Sequence, residues 1–412
     1  MTAQAGSEPT GEEPRPAARM VAQARGSGPV LWPTGMRAAE VEVGPNDSTL
    51  IDSRRTEAVR YDLSLSENPF APLPSVLDAL DDCLMQANRY PEFLPRRLPQ
   101  LIAEHIGIPA DQVVVGSGAT GVAMQIMQAL PAPGTSFVYA TPTFDGYPIM
   151  AGMIGLRTTP VPLDSTGRQD LWAMARAVNE RTALVAVCRP HNPTGTVVPA
   201  SELKAFLYAI PATVPVILDE AYVEFLGATD ALDAVELIRR HPNVLVLRTF
   251  SKAYGLAGLR IGYAFGSADL VRRVQRLQLP FGVPDTAVAA VRASYAAESE
   301  LGERIMRITT ERELLRTALR RSGIRVPRSS ANFLYLPGRD IAPALARAGI
   351  VAKRYPDGSA RIAVGDPGAD RAVLKALASR EGSGARPLRR EDSRVLSLTV
   401  RSEPSAVRAR HR

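Results

Sequence analysis

The feature that most constrains this chain is an alternation. Between residues 112 and 266, short apolar runs take turns with helical ones. QVVVG (112–116), TSFVYA (135–140), RTALVAVCRP (181–190), VPVILDEAY (214–222), NVLVLRTFS (243–251) and IGYAFG (261–266) read as strands, and LRTTPVPL (156–163) as an extended run. TGVAMQIMQAL, GYPIMAGMIG and ASELKAFLYAI between them read as helices. Strands that are apolar on both sides and separated by helices predict a mostly parallel α/β sheet covered on both faces. Two helices precede it: residues 75–87, with Ser75 as a cap, and residues 96–107, ending at Gly107. Beyond residue 283 the pattern changes to one long helical stretch, Thr286 to Ser322, and then to a smaller α+β unit. The expected organisation is an irregular arm (1–58), a segment packing on the small domain (59–85), a large domain (86–283), a small domain (284–378) and an Arg-rich tail (379–412).

Composition removes several function classes. The net charge of +7 sits mostly in the tail, where nine Arg face four acids, so the body is close to neutral. The tail has no aromatic residue to stack on bases, and no nucleic-acid partner is expected. No apolar run reaches membrane-spanning length, so no membrane partner is expected. Two cysteines far apart make no disulfide framework and point to the cytoplasm. The four His are scattered without metal-ligand spacing, and no metal is expected. Only four of the 49 basic residues are Lys: Lys204, Lys252, Lys353 and Lys375. In a chain that otherwise uses Arg, each Lys merits inspection, because an amine can lose its proton and attack a carbonyl.

GSGATG (116–121) matches the G-x-G-x-x-G turn of dinucleotide-binding proteins. That reading also needs an acid at the end of the next strand to hold a ribose. SFVYA runs instead into Thr141-Pro142-Thr143, so a nicotinamide-dependent oxidoreductase is disfavoured. What survives is a helix N-terminus with free N–H groups, an anion site suited to phosphate.

Lys252 follows an apolar strand, at the end of the sheet where such folds bind ligands. Ser251 adds a hydroxyl and Arg260 a guanidinium, both suited to phosphate, while the Lys suits a Schiff base. Asp219 ends another apolar strand. A carboxylate there needs a partner, and a protonated pyridine nitrogen is one, although helix capping is a plainer role. Asn192, in CRPHNPTG (188–195), can donate to a phenolate oxygen or simply make a turn.

Together these marks resemble the fold-type-I pyridoxal-phosphate (PLP) enzymes, and most of all the branch containing histidinol-phosphate aminotransferase. The resemblance runs from about Leu65 to Ala378, through SENPF, RYPE, GSGATG, PTFDGY, HNPTG, DEAYVEF, SKAYGLAGLRIGY, ANF and RIAVG in that order. It implies a large domain with a mostly parallel seven-stranded sheet between helices, and a small α+β C-terminal domain. It implies PLP on Lys252, with Asp219 at the ring nitrogen. Asn192 and Tyr222 would meet the phenolic oxygen, and Phe144 the ring face. Ser251, Arg260, Thr249 and the backbone of Ala119 and Thr120 would hold the phosphate. Tyr90 would reach the partner subunit's cofactor, making the active unit a homodimer. Arg361, with Asn68 and Arg354, would face the substrate. The implied reaction moves an amino group from L-glutamate to a keto or aldehyde acceptor. The second basic residue expected ahead of RIAVG is displaced or replaced, so that Lys353 or Arg354 must serve. An aromatic or specialised-metabolite aminotransferase therefore competes on substrate, and a threonine-phosphate-type decarboxylase shares the cofactor shell.

Overall fold

In chain order the elements are β1 (Tyr61–Asp62), α1 (Pro74–Leu84), α2 (Arg97–Ile106), β2 (Val113–Ser117), α3 (Gly118–Ala129), β3 (Ser136–Thr141), α4 (Gly146–Met153), β4 (Arg157–Pro162), α5 (Leu171–Ala177), β5 (Thr182–Cys188), α6 (Ala200–Ala209) and β6 (Val216–Asp219). Then come α7 (Ala234–Arg240), β7 (Val244–Thr249), β8 (Ile261–Gly266), α8 (Ala268–Gln275), α9 (Asp285–Ala296), α10 (Glu298–Arg321), β9 (Phe333–Leu336), α11 (Ile341–Arg347), β10 (Ile350–Val351), β11 (Lys353–Arg354), β12 (Ala360–Ala363) and α12 (Pro367–Ala378). This computed structural model describes residues 60–132 and 134–378. The expected arm (1–58) and tail (379–412) lie outside the described residues.

The alternating runs form one seven-stranded sheet in the order β2-β8-β7-β6-β5-β3-β4. Only β8 runs antiparallel to its neighbours. Successive side chains go to opposite faces, as strand geometry requires. Val113 and Val115 join one core with Val185, Val187, Val216 and Val246. Val114 joins the other with Leu184, Ile217, Leu245 and Leu247. Pro160 and Pro162 lack the N–H a central strand needs, and β4, which holds them, is an edge strand. A three-stranded antiparallel sheet, β11-β12-β9, carries a third core.

Two boundaries differ from the sequence reading. The stretch from 286 to 322 is two helices, separated at Ala297. α9 buries Ala287, Ala290 and Val291 in the core of the large sheet, whereas Ile308, Leu315 and Leu319 of α10 enter the third core. Segment 59–85 is also divided. β1 pairs with β10 and Leu63 enters the third core, but Leu73 and Val76 pack with the large sheet. Apolar periodicity shows that a helix has a buried face, not which core receives it.

Candidate active site

Each strand expected near the site ends earlier than its apolar run. β5 stops at Cys188, β6 at Asp219 and β7 at Thr249, so Asn192, Tyr222, Ser251 and Lys252 stand on loops beyond the sheet's carboxyl edge. α3 starts at Gly118, inside the glycine turn.

The anion-binding half of the site is assembled by close backbone approach. Gly118 has φ +70°, and a Cβ there would lie 2.2 Å from an Arg260 nitrogen. Its N–H donates to the Arg260 carbonyl at 2.8 Å. Gly262 lets β8 pass the start of α3, since a Cβ there would lie 2.2 Å from the Ala119 nitrogen. The Arg260 guanidinium donates to Ser251 Oγ (3.4 Å) and to the Ala257 carbonyl (3.0 Å), and it makes no ion pair among the described residues. Thr249 donates its hydroxyl to Ser251 Oγ (3.0 Å) and accepts the Ser251 N–H (3.1 Å), which orients the serine. The first N–H groups of a helix have no partner within it, so Ala119 and Thr120 add donors beside this cation.

Lys252 stands at the other side. Its Nζ donates to the carbonyls of Leu65 and Ser66, both at 3.2 Å, and pairs with no carboxylate among the described residues. Burial, aided by the charges of Arg361 and Arg260, lowers its pKa from 10.5 to about 8. Its ammonium lies 5.8 Å from the Tyr222 ring centroid. Burial pushes the Tyr222 phenol up to about 12, against the opposing pull of Arg361.

Asp219 is buried and has no basic partner among the described residues. Its Oδ2 accepts from the Tyr147 hydroxyl at 2.8 Å, and its Oδ1 from the Ala221 N–H at 3.0 Å. Burial raises its pKa, and the Tyr147 hydrogen bond opposes that rise. Phe144 packs edge-on against Tyr147, with centroids 5.7 Å apart. Gly146 makes room for that ring, as a Cβ there would come within 2.3 Å of it.

Arg361 links the third core's sheet to the Asn192 turn. It donates to Asn192 Oδ1 (2.6 Å) and to the Ser64 carbonyl (2.7 Å), over the face of Phe333. The Asn192 Nδ2 is left as the donating end of that amide. Arg361 makes no ion pair among the described residues, and its Nε has no partner.

The other two residues expected toward the substrate have different places. Asn68 spends the donor end of its amide on the lysine loop: Nδ2 donates to the Lys252 and Ala253 carbonyls (3.1 and 2.9 Å), while Oδ1 accepts from the Phe70 N–H in its own segment. It braces Lys252. Arg354 is exposed. Lys353 is the residue opposite Arg361 in the antiparallel register, so it shares that face, and strand alternation turns Arg354 away. Lys353 is ion-paired with Asp145, next to Phe144. Tyr90 is exposed and packs with its ring tilted against Phe281 (4.8 Å).

Two residues inside the motifs have roles that their motifs do not spell out: Tyr147 of PTFDGY, and Asn332, which ties ANF to the Ser66 and Glu67 carbonyls. Both act on other site residues. A one-dimensional pattern shows that they are near the motifs, but not what they touch.

Residues 60–380 match the family described as aminotransferase class I and II. The chain belongs to that family. An aromatic amino acid aminotransferase of Streptomyces avermitilis is 41% identical, over 77% of this chain and 89% of that protein. One from Rhodococcus opacus is 43% identical, over 77% and 90%. Among solved structures, histidinol-phosphate aminotransferase from Sinorhizobium meliloti, in complex with PLP, superimposes with a TM-score of 0.72 at 29% identity, covering 77% of this chain and 90% of that one. This aminotransferase is therefore a PLP enzyme of fold type I, acting on amino and keto substrates.

The residues present fit that cofactor. Among the described residues, an Arg with no ion pair beside a helix N-terminus suits its phosphate, a buried carboxylate without a cation suits its ring nitrogen, and a low-pKa Lys suits its carbonyl. Among the described residues, no helix is long and apolar enough to cross a membrane.

Proposed function

We propose that this aminotransferase takes the amino group from L-glutamate and delivers it to a keto or aldehyde acceptor, in the manner of histidinol-phosphate aminotransferase. The observation that carries the reading is Lys252: an amine with lowered pKa, donating to the Leu65 and Ser66 carbonyls, in a loop shared with Ser251 and Arg260. Bound PLP would supply a carbonyl that condenses with amines and a ring that accepts electrons from the substrate's α-carbon. Lys252 would hold the cofactor at rest, then carry the proton removed from the α-carbon. Asp219 would keep a proton on the ring nitrogen. Asn192 and Tyr222 would donate to the phenolic oxygen, and Phe144 would cover the ring. Arg260, Ser251 and the N–H groups of Ala119 and Thr120 would hold the phosphate, with Thr249 orienting Ser251. Arg361 would bind the substrate's carboxylate through its fork of donors.

A second acceptor class, aromatic keto acids, has its own support. Lys353, the basic residue on the Arg361 face, is already paired with Asp145 and is poorly placed to serve a substrate phosphate. Burial raises the Tyr355 and Tyr222 phenols, and Arg361 opposes the rise at both, so two aromatic side chains share its electrostatic surroundings. The two curated relatives described above carry the aromatic name.

We further infer a homodimer in which the partner subunit's Tyr90 completes the phosphate site. The two free cysteines suit a reducing cytoplasm. The test is the visible spectrum of the holoprotein. Glutamate should convert the PLP band to that of the amino form, and a band unmoved by glutamate would reject the donor. Histidinol phosphate and phenylalanine, the amines that the two acceptor classes would yield, each added to the PLP form, then decide between those classes through the reverse half-reaction.

A further inference from the structure

We propose that Tyr147 is a positioning residue for the cofactor's ring: its phenol holds the Asp219 carboxylate charged and aimed at the ring nitrogen. This inference rests on the role given to Asp219 above. Tyr147 is fully buried on α4, and its hydroxyl donates to Asp219 Oδ2 at 2.8 Å. The side chain has little freedom. Its ring is tilted against Phe137 (5.8 Å) and meets Phe144 edge-on (5.7 Å). One rigid phenol thus touches both groups that would define the ring's place, Phe144 at its face and Asp219 at its nitrogen.

The carboxylate needs this support. A buried carboxylate without a cation tends to take up a proton, and a neutral acid no longer favours a protonated ring nitrogen. Each donor to the charged form opposes that tendency. Asp219 has two strong ones: the Ala221 N–H on Oδ1 and Tyr147 on Oδ2. The Cys188 thiol, from the neighbouring strand β5, lies 3.9 Å from Oδ2, and burial keeps it protonated. Glu220, the next residue, forms its ion pair with Arg248. Tyr222 and Lys252 also feel the Asp219 charge, and the Lys252 amine donates to carbonyls and not to this carboxylate. Burial and the nearby Asp219 keep the Tyr147 phenol itself protonated, so that it remains a donor.

The experiment compares apoprotein of the wild type, Tyr147→Phe, Asp219→Asn and the double variant. Equilibrium dialysis measures the affinity of each for PLP and for its carbocyclic analogue, in which C–H replaces the ring nitrogen. Tyr147→Phe should weaken PLP about tenfold or more, the worth of one hydrogen bond to a charged group. It should leave the analogue within about twofold, since that ring has no nitrogen to protonate. In the Asp219→Asn background the same change should cost little. Wild-type PLP affinity in Tyr147→Phe, equal weakening of both ligands, or full additivity in the double variant would each overturn the proposal. Unchanged PLP affinity in Asp219→Asn would instead remove the Asp219 role on which it depends. The pH midpoint of the holoprotein's visible band should also move in Tyr147→Phe, which a purely packing role would not cause.

Discussion

At the scale of single residues, the chemistry depends on amino acids held in environments that change what they do. Lys252 is the clearest case. With its pKa lowered from 10.5 to about 8, the folded amine is neutral where the unfolded one still carries its proton. Between those values the unfolded chain binds more protons, so Lys252 makes apoprotein stability rise with pH across that window. Only the neutral amine attacks a carbonyl, so the rate of PLP capture by apoprotein should rise with a midpoint near pH 8. Stopped-flow absorbance would measure this, and a midpoint near that of free lysine would show the loop leaves the amine unperturbed. Gly118 is the second case. Gly118→Ala adds a Cβ against the Arg260 guanidinium in a backbone conformation that only glycine adopts freely. PLP affinity should fall at least about tenfold, for loss of a charge-assisted contact. Wild-type affinity in this variant would place the phosphate elsewhere.

At the scale of elements, the sheet separates adjacent residues into different tasks. Asp219 and Glu220 are neighbours in the chain, but Asp219 meets Tyr147 while Glu220 meets Arg248. Arg248 donates twice to one Glu220 oxygen, at 2.9 and 2.7 Å, and ties the ends of β6 and β7 together. Arg248→Met takes from buried Glu220 its hydrogen-bonded ion-pair partner and should cost about 3–5 kcal/mol in denaturant unfolding. Adding Glu220→Gln should recover much of that loss. If Arg248→Met alone costs nothing measurable, the pair is not what fixes these strand ends. The apolar runs were readable because central parallel strands bury both faces. Their exact ends were not, because hydrophobicity continues past the last paired residue into the site loops, as in Phe250.

At the scale of the molecule, an apolar ledge remains on the surface. Tyr90, Phe93, Leu279 and Phe281 are all exposed, with Phe281 packed against both other aromatic rings. Such a patch is the expected footprint of a partner, and it includes the tyrosine expected to cross to the second site. Phe281→Asp should shift the protein toward monomer in sedimentation velocity and weaken PLP binding with it. A monomeric wild type would end the shared-site reading, and a Phe281→Asp dimer would move the interface elsewhere.

The sequence by itself determined the class of sheet, because apolar period and helix alternation are local properties of the chain. It also named most of the residues proposed for the site, since Lys252, Asp219, Asn192 and Arg260 lie in short motifs after apolar strands. Tertiary structure decided the rest. It set which basic residue of IVAKRY shares a face with Arg361, because antiparallel register brings Lys353 opposite it and turns Arg354 away. It made Asn68 a brace for the lysine loop, 184 residues distant in the chain. It gave Tyr147 its contact with Asp219, 72 residues on. These are meetings between side chains far apart in sequence, and their geometry exists only once the sheet has brought the segments together.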